Sequence, residues 1–221
     1  MSAIVPDYDN DPERSRSFQA AWQEDVHAPV ADRVTSEGMG RVLDVGCGVG
    51  RFAAAVRGRV GWIGVDRSRR QVADCSYRPI CIADAMCLPF ADQSVDAIAM
   101  LWMLCHLADP LAALTEAKRV LRPGGLLASC ASSRRNDPEL VPDGYPRTTF
   151  DAEEAPDLVA AVFGGAGVEV ERWDGPMVRL GDQSEVAAYA RSHLLPVSVA
   201  DAVDPPLTLT KRGCLVWARR S

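Results

Sequence analysis

The sequence lacks the features that mark membrane-spanning and secreted proteins. Its longest apolar run, from Ala97 to Leu104, is far shorter than the ~20 residues that a helix needs to span a bilayer. The first residues have neither the basic stretch nor the long apolar core of a secretion signal. With a mean hydropathy of −0.05, the chain is expected to be a globular cytoplasmic protein with no membrane partner.

Ordered cysteine patterns are also missing. The seven cysteines include no C-x-x-C pair, and their odd number does not fit a complete disulfide framework. They are therefore predicted to be free thiols in a reducing compartment, mostly small buried hydrophobic side chains. Cys47, Cys105 and Cys130 follow or end predicted strands and could line a pocket. No zinc or iron–sulfur ligand pattern appears, so no metal site is predicted.

A strongly basic stretch is the third absence. The chain has 24 basic and 30 acidic residues, a net charge of −6 and a pI of about 5.1. The pairs Arg69-Arg70 and Arg134-Arg135 are too short to follow a phosphate backbone, which usually calls for a basic face. The composition disfavours a nucleic-acid partner and favours a small molecule, and it indicates no oligomeric state.

The most informative stretch is residues 42–52. An apolar segment that is typical of a buried parallel strand is followed at once by three glycines at alternate positions and then by a helix pattern. The glycines are Gly46, Gly48 and Gly50. Glycine permits positive φ and close backbone approach, and a strand–loop–helix junction presents backbone N–H groups to a cofactor. A dinucleotide loop would carry a third glycine at position 51, which is an arginine.

Acidic residues end three predicted strands in succession. Asp44 lies two residues before the first glycine, Asp66 follows 22 residues later, and Asp84 ends the next short apolar run. An acid at the second of these positions is suited to accept hydrogen bonds from the two hydroxyls of an adenosine ribose. The alternative for Asp66 is a helix cap. For the glycine loop, it is a tight turn with no ligand.

The run from Asp44 to Gly50 resembles motif I of class I S-adenosylmethionine (SAM) dependent methyltransferases. Within that class, it resembles the small-molecule enzymes related to the methyltransferases of ubiquinone and menaquinone biosynthesis. The likeness extends over about residues 40–130. It includes His106-Leu-x-Asp-Pro and Leu121-Arg-Pro-Gly-Gly. Asp109-Pro110 also predicts the start of a helix.

The alternation of strands and helices predicts a doubly wound α/β fold with ligand at the carboxyl ends of the strands. The resemblance implies a Rossmann-like, mostly parallel sheet of seven strands whose last strand is antiparallel. It further implies an N-terminal helical lid at residues 1–36 and a SAM-binding domain at residues 37–221. Acceptor-side insertions are expected near residues 131–150 and 176–206.

The same resemblance implies a set of cofactor contacts. Motif I would hold the methionine end of SAM, Asp66 its ribose, and Asp84 with the next backbone N–H its adenine. The predicted cofactor-binding residues are Asp44, Gly46, Cys47, Gly48, Gly50, Asp66, Arg67, Asp84, Ala85 and Leu101. The product would be S-adenosylhomocysteine (SAH).

The sequence also offers candidate catalytic and substrate-binding residues. His106 lies where the family brings methyl group and acceptor together, and its reference pKa suits a general base. The family often has paired histidines here, whereas this chain has Cys105 first, so a packing role stays open for His106. The predicted substrate-binding residues are Trp22, Trp102, His106, Arg134 and Tyr145.

Several local patterns give further expectations. Residues 11–34 read as two helices separated at Pro29. The resemblance makes Tyr8, Arg14, Phe18 and Trp22 candidate lid residues, although packing against the main domain is favoured for Phe18 and Trp22. Asp151 and Glu154 have capping-box spacing before a helix to about residue 163. A sixth strand is expected over residues 168–173, and a helix over residues 184–195. That helix would bring Tyr189 and His193 toward a pocket.

These observations predict methyl transfer from SAM to an O, N, C or S atom of a small-molecule acceptor. One alternative is that bound SAM supports another reaction, such as a cyclisation or pericyclic step. Another is a non-catalytic SAM-binding partner subunit. An NAD dehydrogenase is least favoured, because the glycine spacing differs.

Overall fold

A computed structural model describes residues 25–221 and contains a single seven-stranded sheet in that range. The strands are β1 (Arg41–Val45), β2 (Gly61–Asp66), β3 (Ile80–Ile82), β4 (Val95–Leu101), β5 (Leu121–Ser132), β6 (Val168–Leu180) and β7 (Leu207–Arg219). Their order is β3-β2-β1-β4-β5-β7-β6. Strand β7 pairs antiparallel with both β5 and β6, so it runs opposite to the other six strands of this sheet. The predicted topology, with an antiparallel last strand, is confirmed.

Helices cover both faces of this sheet. They are α1 (His27–Ser36), α2 (Arg51–Val56), α3 (Arg69–Asp74), α4 (Pro110–Val120), α5 (Ala155–Phe163), α6 (Gln183–Ser192) and α7 (Val197–Asp201). On one face Val30 of α1 and Phe52 of α2 are buried. On the other, Leu114 of α4 and Val159 of α5 are buried. Since both faces are covered, the central strands are apolar almost throughout. Within the described residues, every helix is too short or too polar to cross a membrane.

The ends of the parallel strands place the predicted acids at one edge. Asp44 lies in β1 opposite Gly64 of β2, Asp66 ends β2, and Asp84 follows β3 by two residues. The carboxyl ends of parallel strands meet at the same edge of a sheet, which is where open α/β sheets bind ligands. The three acids, which are far apart in sequence, therefore lie along one edge of the sheet.

Helix α1 belongs to the packing of the sheet. Residues 27–36 fall in the range predicted as lid, yet Val30 and Val34 are buried in the same apolar cluster as Val42 of β1. Pro29 lies in the first turn of α1, where its missing N–H costs no helical hydrogen bond. The predicted lid residues at positions 8, 14, 18 and 22 lie outside the described residues, and the domain boundaries stay predictions.

Two local expectations were wrong. The capping box is absent: helix α5 starts at Ala155 without a side-chain cap, and Oδ2 of Asp151 accepts a hydrogen bond from Arg134 at 2.6 Å. Strand β6 runs to Leu180 rather than to residue 173, since it pairs with β7 along its length. The cap predicted before α4 is confirmed, as the Asp109 side chain accepts from the backbone N–H of Ala112 at 3.0 Å.

A buried polar cluster lies in the segments predicted as acceptor-side insertions. The carboxylate of Asp137 accepts hydrogen bonds from the hydroxyls of Tyr145 and Tyr189, each at 2.7 Å. It also pairs with Lys211 of β7 at 2.8 Å, and Lys211 contacts the Tyr189 hydroxyl. The His193 ring stacks on Tyr189 with centroids 4.0 Å apart. The cluster therefore joins the loop after β5, helix α6 and strand β7.

Lys211→Met should destabilise the protein by about 3–5 kcal/mol, because it leaves the Asp137 carboxylate buried without its cation. Urea unfolding followed by circular dichroism measures this loss. The double variant Lys211→Met/Asp137→Asn should recover part of it, because no uncompensated charge remains. A loss below about 1 kcal/mol in the single variant would contradict the assigned role.

Candidate active site

The loop between β1 and α2 can be built only with glycine at two points. Gly46 and Gly50 have φ of +74° and +90°, values that other residues rarely adopt. A Cβ on Gly46 would lie 2.7 Å from Cβ of Met103, and one on Gly50 would lie 2.8 Å from Sγ of Cys75. The loop is therefore shaped both by its own turn and by the segments packed behind it.

Backbone hydrogen bonds tie this loop to the end of β2. The amides of Gly46 and Cys47 both donate to the carbonyl of Val65, at 2.8 and 3.0 Å. The amide of Gly48 donates to Oδ2 of Asp66 at 2.9 Å. The amide of Ser68 donates to Oδ1 of the same carboxylate at 2.8 Å. The half-buried Asp66 is thus oriented against the glycine loop, as a ribose-binding acid would need to be.

Asp44 is a buried carboxylate, only 3% exposed. Its Oδ2 accepts a hydrogen bond from Nε1 of Trp62 at 3.1 Å, whereas its Oδ1 accepts none from the described residues. Burial raises the pKa of Asp44 to about 7; the Trp62 hydrogen bond lowers it and the charge of Asp66 raises it. This acid is therefore poised to become fully ionised when a cationic group binds beside it.

Trp62 is a site residue that the sequence reasoning missed. Its ring lies against Gly64, where a Cβ would come within 2.5 Å of the ring atom Cη2. Because residues i and i+2 of a strand face the same side, the pair Trp62 and Gly64 was the signal that could have found it. Its role is to hold Asp44 in place.

The end of β3 carries the last of the predicted cofactor residues. The amide of Ala83 donates to the carbonyl of Asp66 at 3.2 Å, which brings Asp84 next to the acid predicted to bind ribose. Oδ1 of Asp84 accepts from the backbone amide of Met86 at 2.8 Å, so its side chain is held although it is exposed. Ala85 is buried and Arg67 is exposed.

The segment after β4 contacts the glycine loop. Leu101 ends β4 and is buried. Trp102 follows with φ of +60°, and its amide donates to Sγ of Cys130 at 3.2 Å. Met103 then packs against Gly46, and His106 ends a short 3-10 turn, half-buried. The structure thus brings Trp102 and His106 to the edge that carries the cofactor residues.

Arg134 and Tyr145 lie in a different neighbourhood. Both line a cavity of about 330 Å³ together with Arg135 and Arg212. The Arg134 guanidinium is paired with Asp151 at 2.6 Å, and the Tyr145 hydroxyl is bound in the cluster described above. Their substrate-binding role stays a prediction, and the predicted Trp22 lies outside the described residues.

The cysteines near the site are not arranged as nucleophiles. Burial raises the pKa of the Cys47 thiol far above its ordinary value and raises that of Cys105 to about 12. Since the thiolate is the reactive form, both behave as small apolar groups. Tyr189 and His193, predicted toward a pocket, are instead parts of the buried cluster.

The strand order is that of the Rossmann-like fold of class I SAM-dependent methyltransferases. Residues 43–129 match the methyltransferase domain family. Over this range the chain is similar to that family, whose methyl donor is SAM. Its likeness to the ubiquinone and menaquinone branch stays a prediction.

Relatives and solved structures agree with this assignment. The chain is 35% identical over 133 residues to O-methyltransferase rstn1 of Aspergillus nomiae, covering 55% of this chain and 59% of that protein. It is 40% identical over 100 residues to the 27-O-demethylrifamycin SV methyltransferase of Amycolatopsis mediterranei, covering 40% and 37%. The chain thus spans between 37% and 59% of the length of these curated relatives.

Among solved structures, the 4+2 cyclase SpnF shares this fold. The TM-score is 0.62 at 22% sequence identity, over 96% of this chain and 94% of that chain. At this identity the similarity concerns the fold, and its reaction is not carried over to this chain.

Asp44→Asn should stabilise the ligand-free protein at neutral and higher pH. The folded-state pKa of Asp44, about 7, exceeds the ordinary value of 3.8, so the folded state holds the proton more tightly than the unfolded chain. The free energy of unfolding of the wild type then falls as pH rises between those two values. The free energy of unfolding of the variant does not fall in this way. Above pH 7 it should exceed that of the wild type by on the order of 2–4 kcal/mol.

Urea unfolding at about pH 4.5 and about pH 8 measures the effect. We expect the two proteins to differ little at the lower pH and clearly at the higher one. An equal difference at both pH values would show that the Asp44 charge is not the cause.

Proposed function

We propose that this chain transfers a methyl group from SAM to a hydroxyl oxygen of a small-molecule acceptor. The observation that carries the proposal is the pair of acids around the glycine loop, Asp44 and Asp66, in a sheet of methyltransferase order. The relatives support oxygen as the methylated atom, because two of them are named O-methyltransferase and 27-O-demethylrifamycin SV methyltransferase.

The residues present fit SAM. The buried Asp44 has one carboxylate oxygen without a donor among the described residues and suits the ammonium group of the methionine end. Asp66, fixed by two amides, suits the ribose hydroxyls, and Asp84 suits an amine donor of the adenine. SAM supplies a methyl group that its positively charged sulfur has already activated.

The protein must mainly hold the acceptor in line with the methyl group and exclude water. Trp102 and its apolar neighbours after β4 suit this task. A phenol or alcohol must lose its proton during the transfer, and we propose His106 as the base, since it ends the same segment. A phenol, being more acidic, would depend on it less.

A different reaction of a bound SAM is the second candidate, because the fold is shared with a protein named as a cyclase. Incubation with SAM labelled in its methyl group separates the two. Transfer of the label to an acceptor, with SAH as co-product, supports the proposal. Turnover without movement of the label supports the alternative.

Asp66→Ala should weaken the binding of SAM and SAH at least tenfold. The variant removes hydrogen bonds from a charged acceptor to the ribose, each worth roughly 1.5–3 kcal/mol, and it also frees the Gly48 amide. Isothermal titration calorimetry with SAM, SAH and NAD measures the change. The exposed Asp201 of α7 offers a matched control, and Asp201→Ala should bind SAM like the wild type. Binding of NAD alone, or an unchanged SAM affinity in Asp66→Ala, would contradict the assignment of Asp66 to a SAM site.

The affinity for SAM should depend on pH through Asp44. Binding next to a cationic ammonium favours the ionised carboxylate, so below its pKa of about 7 the bound proton must leave. We therefore expect affinity to fall about tenfold between about pH 8 and about pH 6. Calorimetry in buffers of different ionisation enthalpy should count close to one proton released at the lower pH. A pH-independent affinity would show that Asp44 does not face the ammonium group.

A further inference from the structure

Trp173 of β6 lies at the same edge of the sheet as the candidate active site. It is paired with Gly213 of β7, and Gly213 is paired in turn with Ser132, the last residue of β5. Strand β5 is parallel to β4, with Cys130 opposite Leu101. The register therefore places Trp173 across β7 and β5 from Trp102, at the carboxyl ends of the strands.

The indole N–H of Trp173 has no acceptor among the residues that the structure describes. Its Nε1 is buried and has no hydrogen-bond partner within residues 25–221. The indoles of Trp62 and Trp217, by contrast, donate to Asp44 and Glu171 at 3.1 and 2.7 Å. Buried donors without a partner are rare and costly in native proteins, so each calls for an explanation.

The ring of Trp173 is held in place from two sides. A Cβ on Gly213 would come within 2.5 Å of Cε2 of the indole, so only glycine lets the ring lie flat on β7. On another side stands Trp102, with ring centroids 5.9 Å apart and an interplanar angle of 69°. This edge-to-face geometry is the favoured one for aromatic pairs.

Trp102 links this pair to the cofactor side. Its φ of +60° is strained for a bulky residue, and such outliers cluster at functional sites. The next residue, Met103, packs on Gly46 of the glycine loop. The two indoles thus form an aromatic corner, defined by Trp102 and Trp173, that adjoins the segment between cofactor and acceptor.

We propose that this aromatic corner binds the acceptor and that Trp173 determines its specificity by donating its indole N–H to a neutral oxygen of the acceptor. The acceptor class is a flat, oxygenated aromatic or conjugated molecule. Its ring packs on the corner, and a carbonyl oxygen other than the methylated one pairs the orphan donor. This inference rests on the proposed function and deepens it by naming the acceptor class.

Nuclear magnetic resonance on the whole chain tests the proposal. The protein carries ¹⁵N-labelled tryptophan and is saturated with SAH, and the signal missing in Trp173→Phe identifies the Trp173 indole. The probes are 4-hydroxyacetophenone and 4-ethylphenol, which share the phenol but differ in the carbonyl. We expect the Trp173 signal to move downfield with the ketone only. Trp173→Phe should weaken ketone binding roughly three- to tenfold and leave 4-ethylphenol binding unchanged.

Trp217→Phe is the matched control, because it removes an indole N–H that is already paired with Glu171. It should bind both phenols like the wild type. A Trp173 signal that neither phenol moves, or equal ketone binding by wild type and Trp173→Phe, would overturn the proposal. If Trp173→Phe fails to bind SAH, the wild-type signal alone decides. Failure of the wild type to bind SAH would instead refute the proposed function.

Discussion

The carboxylate of Asp66 is the contact on which the candidate site depends. Each of its oxygens accepts a backbone amide, one from Gly48 in the glycine loop and one from Ser68 at the start of α3. Hydrogen bonds to a charged acceptor are stronger than neutral ones, so this side chain joins two βα connections that are separate in sequence. The glycine loop is also held from behind, because Met103 packs on Gly46.

The neighbouring acid has the opposite character. Asp44 is buried beside an apolar core with one indole donor, and its raised pKa shows that ionisation is unfavourable while the site holds no cation. A group of this kind lowers the stability of the free protein and regains that free energy when a cationic ligand binds. The buried acid therefore lowers the stability of the free protein and raises its affinity for a cationic ligand, a trade-off that is common at functional sites.

The predicted acceptor half is built differently. There the buried ion pair of Lys211 and Asp137, with two tyrosine hydroxyls, ties α6 and β7 to the loop after β5. This network is satisfied and contributes rigidity to the insertion. In the same region the indole N–H of Trp173 has no hydrogen-bond partner within the described residues.

Local patterns in the sequence predicted the central strands, the acids at their ends, the glycine loop and the Asp109 cap of α4, because each depends on residues within a few positions of one another. The seven-strand topology came from the family resemblance. The pairing of Trp62 with Asp44 depends on the packing of neighbouring strands, although the spacing of Trp62 and Gly64 pointed to it. The predicted capping box did not form, and Asp151 pairs instead with Arg134, 17 residues away in sequence. The Asp137 cluster and the corner of Trp102 and Trp173 join segments tens of residues apart, and no local pattern encodes such contacts. Only the tertiary structure decided them, since it sets which buried polar groups find partners and which do not.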